Sequence, residues 1–132
     1  AEEQRMKSTS SALSHATVTT ANNLGAKCII APTASGATAR VVSKFKPRTE
    51  IIGVTPNEEV MRRMQIYWGV RPLKSIEFTT TEDVCSGAID LVVAKQIVET
   101  GDVVVLTAGI PSPHFSGQKE GVSNIMRIAV IQ

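Results

Sequence analysis

At 132 residues, with 42% hydrophobic and 20% charged residues and a formal charge of +2, the chain has the make-up of one globular domain. A chain of that length buries roughly two-thirds of the surface it exposes when unfolded, enough for a sizeable core. The charge is too small to argue for nucleic acid or an acidic membrane surface; no stretch is long and apolar enough to span a bilayer, and no signal-peptide pattern opens the chain.

The chain opens on Ala1 rather than Met, as a piece of something longer would, and residues 1–8 are expected to be linker or disordered. Ser8–Leu24 carries apolar or small residues at Ala12, Leu13, Ala16, Thr20, Ala21 and Leu24, a helical spacing closed by Gly25. Lys27–Ala31 reads as the first strand, and Ser35–Phe45 as a helix stopped by Pro47. Glu50–Thr55 is a short apolar strand of the buried parallel kind. Pro56 at a helix start, with Glu58 and Glu59 in the first turn, predicts a helix through about Trp68. Val70–Ser75 is a weaker strand, followed by a hydroxyl-rich linker. Thr81-Glu82-Asp83 opens a long helix that Gly101 ends. Asp102–Ala108, with Val103-Val104-Val105-Leu106, is the clearest buried strand. Asn124–Ile131 is a final strand whose near-continuous apolar character predicts cover on both faces. Cys28 in a buried strand and Cys85 in a helix have no disulfide or metal spacing; they read as small core residues in a reducing cytosol.

Five short strands separated by helices predict a three-layer α/β/α sandwich around a five-stranded mixed sheet. The sheet is mostly parallel, because right-handed crossovers dominate; the last strand, entered from a loop without a helix, is free to run antiparallel. Ligands of open α/β sheets bind where loops leave the carboxyl ends of strands. Two loops qualify, residues 32–38 and residues 107–123, and neighbouring first and fourth strands would set them across one cleft.

Pro32-Thr33-Ala34-Ser35-Gly36-Ala37-Thr38-Ala39-Arg40 is a hydroxyl-rich turn between strand and helix. Unpaired N–H groups and the helix dipole both favour an anion there, which makes Thr33, Ala34, Ser35, Gly36, Ala37 and Thr38 a candidate phosphate cradle. Thr33 and Ser35 serve equally well as simple helix caps. The later loop holds Gly109, His114, Ser116, Gly117, Lys119 and Gly121. Its length suits either a functional loop that closes over an anion, with Lys119 supplying charge, or a mobile surface turn.

Other chemistry is missing. Thr33–Arg40 lacks the lysine of a nucleotide P-loop, and no GxGxxG is present. His15 reads as packed or surface-exposed, Arg62 and Arg63 as a solvated helix face, and Tyr67 and Trp68 as anchors packing a helix end. No nucleophile–base pair or metal constellation emerges, so the chain alone does not read as an enzyme.

Several stretches, in order, resemble the carboxy-terminal domain of the pyruvate kinase family. They are Ser14-His15-Ala16-Thr17-Val18-Thr19-Thr20-Ala21, Ala26-Lys27, Ala31 through Arg40, Val42-Ser43-Lys44-Phe45-Lys46-Pro47, and Ile51-Ile52-Gly53-Val54-Thr55-Pro56-Asn57. Trp68-Gly69-Val70, Gly101-Asp102-Val103-Val104, Thr107-Ala108-Gly109 and Asn124-Ile125-Met126-Arg127 continue the match, which spans about residues 9–131.

The resemblance implies a sheet whose last strand is antiparallel, in a regulatory domain of an enzyme that transfers a phosphoryl group from phosphoenolpyruvate to ADP in glycolysis. In the family that reaction takes place in a separate barrel domain of the same polypeptide with Mg²⁺ and K⁺; this domain would need no cofactor and would be inactive alone. It further implies an allosteric sugar-phosphate effector, often fructose 1,6-bisphosphate. One phosphate would lie on the turn of Thr33, Ser35, Gly36 and Thr38, under a loop at about residues 109–121. A cytoplasmic location and a homotetramer whose interface includes the last strand belong to the same expectation. Two departures stand out: Ala34 and Ala37 replace longer polar or basic side chains, and the late loop has no arginine, leaving Lys119 and His114 as its cations. Lysine meets phosphate as a point charge where arginine grips it bidentately, so a monophosphorylated effector stands beside the bisphosphate. Two other functions remain open on the residues: a free-standing phosphometabolite-binding module, and a purely structural oligomerisation domain.

Overall fold

The computed structural model of the chain describes residues 2–109 and 124–132. In chain order the elements are α1 (Glu2–Leu24), β1 (Cys28–Pro32), α2 (Ala37–Lys44), β2 (Glu50–Thr55), α3 (Glu58–Met64), β3 (Val70–Lys74), α4 (Thr81–Ala94), β4 (Val103–Ala108) and β5 (Ile125–Val130). The strands form one sheet in the order β3-β2-β1-β4-β5. β1 pairs in parallel with β2 on one side and β4 on the other, β2 with β3 in parallel, and β5 runs antiparallel to β4. The strand order therefore reverses at β1, and the loops after β1 and β4 leave the same edge side by side.

Strand alternation distributes the apolar residues over two cores. Cys28, Ile30, Ile52, Val54, Val104 and Leu106 pack with Cys85, Ala88 and Val92 of α4. Ile29, Ala31, Ile51 and Val105 point the other way, to Val18 and Ala21 of α1, Ala39 and Val42 of α2, and Val60 and Met64 of α3. The layers are thus three helices, the sheet, and α4. β1, β2 and β4 are covered on both faces, which is why their sequences are mostly apolar.

Several details depart from the sequence expectations. α1 begins at Glu2, ahead of Ser8, and the side it buries is Ser10, Ser14, Thr17, Val18 and Ala21; of the expected stripe Ala21 is buried, whereas Leu24 is exposed. Thr17 is tolerated there because its hydroxyl donates to the Leu13 carbonyl one turn back, at 2.8 Å. α3 is shorter than expected: Asn57, not Pro56, starts it, its Oδ1 accepting from the Glu59 and Val60 N–H groups at 2.8 and 3.1 Å. α4 ends at Ala94, well before Gly101. Gln96, at φ 59°, takes the left-handed position usually given to glycine; its N–H reaches Val93 O and the Ile97 N–H reaches Val92 O, the paired bonds of a Schellman stop. β5 is not covered on both faces by the described residues: it is one of the two edge strands, and Ile128 and Val130 are 53% and 55% exposed. Trp68 is likewise half-exposed, and its backbone carbonyl rather than its ring makes the anchor, accepting the Ser43 hydroxyl at 2.6 Å.

Candidate anion-binding cleft at the strand-order reversal

The turn after β1 is fixed at both ends. The Thr33 N–H donates to the Val54 carbonyl of β2 at 2.8 Å, continuing the ladder one residue past the strand. The Thr33 hydroxyl accepts from the Gly36 N–H at 2.8 Å, and the Ser35 hydroxyl from the Ala37 N–H at 3.2 Å. Gly36 holds φ 88°, where a side chain would be strained, and as N-cap of α2 it has no side chain to offer the helix. The capping reading of Thr33 and Ser35 is therefore correct for two donors. The next two N–H groups, of Thr38 and Ala39, have no acceptor within the helix by position.

Thr38 is the telling side chain. It is 1% exposed, it lines the cleft, and its Oγ1 has no hydrogen-bond partner among the described residues. A buried hydroxyl left unpaired costs roughly 1–3 kcal/mol, and the Ser14 hydroxyl of α1 is in the same state among the described residues. Arg63 of α3 also reaches the turn, its Nη1 donating to the Ser35 carbonyl at 3.4 Å. Arg63 is exposed, as the solvated-face reading expects, and this one bond ties it to the turn.

The cleft has a volume of about 370 Å³. The turn forms one wall through Thr33, Ala34 and Thr38, while Ser35, Gly36 and Ala37 shape the turn behind them. Ala108 and Gly109 at the end of β4 form a second wall, as the topology requires. His114, Ser116, Gly117, Lys119 and Gly121 lie outside the described residues. A third wall, Ser75, Glu77, Phe78 and Thr79 between β3 and α4, is absent from the sequence-based site. Its signal was available: β3 is parallel to β1 and β4, so its carboxyl end opens on the same edge. Phe78 lies tight over Gly87 of α4, where a Cβ would collide with the ring. That close approach accounts for a glycine in mid-helix.

Neither thiol is a nucleophile. Burial first, then the charges of Glu50 and Asp102, push Cys28 up to about 12. Burial likewise raises Cys85, and both are buried and free. His15 is exposed, with its ring centroid 5.3 Å from that of Phe45. Among the described residues, no group of three or more His, Cys, Asp or Glu could hold a metal ion, and no helix is long and apolar enough to cross a membrane.

Sheet order, turn and cleft together define a three-layer α/β domain with a ligand-sized opening where the strand order reverses. Residues 11–129 match the family model described as "Pyruvate kinase, alpha/beta domain". The chain is 37% identical over 126 residues to a pyruvate kinase of Clostridium acetobutylicum, covering 96% of this chain and 26% of that protein. It is 38% identical over 112 residues to one of Staphylococcus saprophyticus and 40% to one of Staphylococcus epidermidis, each time over 85% of this chain and 18% of the relative. The chain belongs to the pyruvate kinase alpha/beta domain family, and it spans about a quarter or less of the length of these curated relatives.

Proposed function

We propose that this chain is the regulatory carboxy-terminal domain of a cytoplasmic pyruvate kinase, binding a sugar-phosphate effector in the cleft and leaving catalysis to the rest of the polypeptide. The observation that carries the reading is the buried hydroxyl of Thr38, without a hydrogen-bond partner among the described residues, beside a helix N-terminus whose cap is a glycine. A phosphate oxygen accepts from that hydroxyl and from the Thr38 and Ala39 N–H groups at once, and the helix dipole favours its charge. Binding here regulates the enzyme through different affinities for two states of the assembly. The phosphoryl transfer from phosphoenolpyruvate to ADP, with its Mg²⁺ and K⁺, belongs to a barrel domain in the part of the relatives that this chain does not span.

Isothermal titration of the chain with fructose 1,6-bisphosphate, ribose 5-phosphate and AMP, alongside the Ser35→Asp variant, tests the proposal. Saturable binding in the wild type that disappears in a folded Ser35→Asp supports it, because a carboxylate on this turn repels an anion bound beside it. Absence of binding by all three ligands to the folded wild type overturns it. A second role, in homo-oligomer assembly, is favoured by the exposed edge strand, where Ile128 and Val130 project from one face.

A further inference from the structure

We infer that the cleft selects a ligand with a single phosphate, and that Glu77 is the residue that rejects a second one. The inference rests on the effector reading and adds to it the charge that the remainder of the ligand must carry. The cleft is polar in a defined sense. At its phosphate end stand the N-terminus of α2 and the Thr38 hydroxyl, which has no hydrogen-bond partner among the described residues. Away from the turn, on the segment between β3 and α4, Glu77 is the one ionisable side chain among the described residues that line the cleft. The other lining groups there are hydroxyls, Ser75 and Thr79, and apolar surface from Phe78, Pro56 and Val84.

A second phosphate entering this space brings up to two negative charges toward a carboxylate, with no cation among the described lining residues to offset them. A sugar or other uncharged group meets an acceptor instead: its hydroxyls donate to the Glu77 carboxylate and its carbon face packs on Phe78. Glu77 is exposed, so water screens the repulsion and the selectivity is moderate. Removing the charge should change the preference about fivefold, the scale of an exposed charge pair. Raising the salt should erase most of the wild-type preference, because the screening length falls to about 3 Å at 1 M.

The test is titration of the chain with inorganic phosphate, ribose 5-phosphate and fructose 1,6-bisphosphate, using wild type, Glu77→Gln and Glu77→Lys. Wild type should prefer the monophosphate ester. Glu77→Gln should raise bisphosphate affinity relative to monophosphate by about fivefold, Glu77→Lys by more, and inorganic phosphate should bind all three proteins equally. An unchanged ratio in both variants, or a wild type that prefers the bisphosphate, overturns the role of Glu77 while leaving the cradle in place. If inorganic phosphate and both esters fail to bind the folded wild type, the effector reading and this inference fall together.

Discussion

Replacing Thr38 by Val exchanges a hydroxyl for a methyl at a position 1% exposed, where the hydroxyl has no partner among the described residues. In the unliganded chain that change removes a desolvated polar group without opening a cavity. Burying such a group unpaired costs roughly 1–3 kcal/mol, so the variant should be more stable by about 1 kcal/mol, the low end of that range. For a domain of this size that is a rise in Tm of about 3–5 °C. Phosphate binding should change in the opposite direction. A hydrogen bond to a charged partner contributes about 1.5–3 kcal/mol, which corresponds to a ~10- to 150-fold weaker Kd. Urea denaturation without ligand and calorimetric titration with ribose 5-phosphate measure the two quantities on the same samples. The opposite signs are the signature of a side chain placed for a ligand rather than for the fold. A variant that is less stable and binds phosphate unchanged would refute the reasoning.

Gly36→Ala should destabilise the chain by about 1–2 kcal/mol, because a side chain resists φ 88° at the head of α2, and it should weaken phosphate binding with it; denaturation and titration read both. Gly87→Ala should displace Phe78 from the third wall, lowering affinity for ribose 5-phosphate while inorganic phosphate binds as before. Native protein should react with a thiol reagent only as fast as it unfolds, since Cys28 and Cys85 are both buried. The folded Cys28 thiol titrates near 12, above its ordinary 9.0, so its contribution is fully present below pH 9 and is lost as pH rises toward 12. Stability measured across that alkaline window should fall by up to about 1.4 kcal/mol per pH unit. Val130→Lys on the exposed edge strand should leave the fold intact and reduce any self-association seen by sedimentation.

Much of the architecture was legible because the signals are local. The apolar runs of β1, β2 and β4 announce strands covered on both faces, and the hydroxyls and glycine between Pro32 and Thr38 announce a turn into a helix. What was misread depends on distant partners or on polar groups satisfied within their own element. Thr17 packs against the sheet because it bonds its own helix, so a count of apolar residues places the buried face of α1 wrongly. Ile128 and Val130 look like core by composition; only the strand order reveals an edge. Gln96 ends α4 in a conformation usually given to glycine, which diverts a reader to Gly101. Glu77 looks like an ordinary surface charge until the crossovers bring the segment after β3 to the turn following β1.

The most direct test of the phosphate cradle is heteronuclear NMR of the chain titrated with ribose 5-phosphate, following backbone amides. Saturable shifts should be largest at Gly36, Ala37, Thr38 and Ala39, with smaller ones along Ser75–Thr79. Binding that leaves those four amides unmoved and shifts another surface would contradict the account.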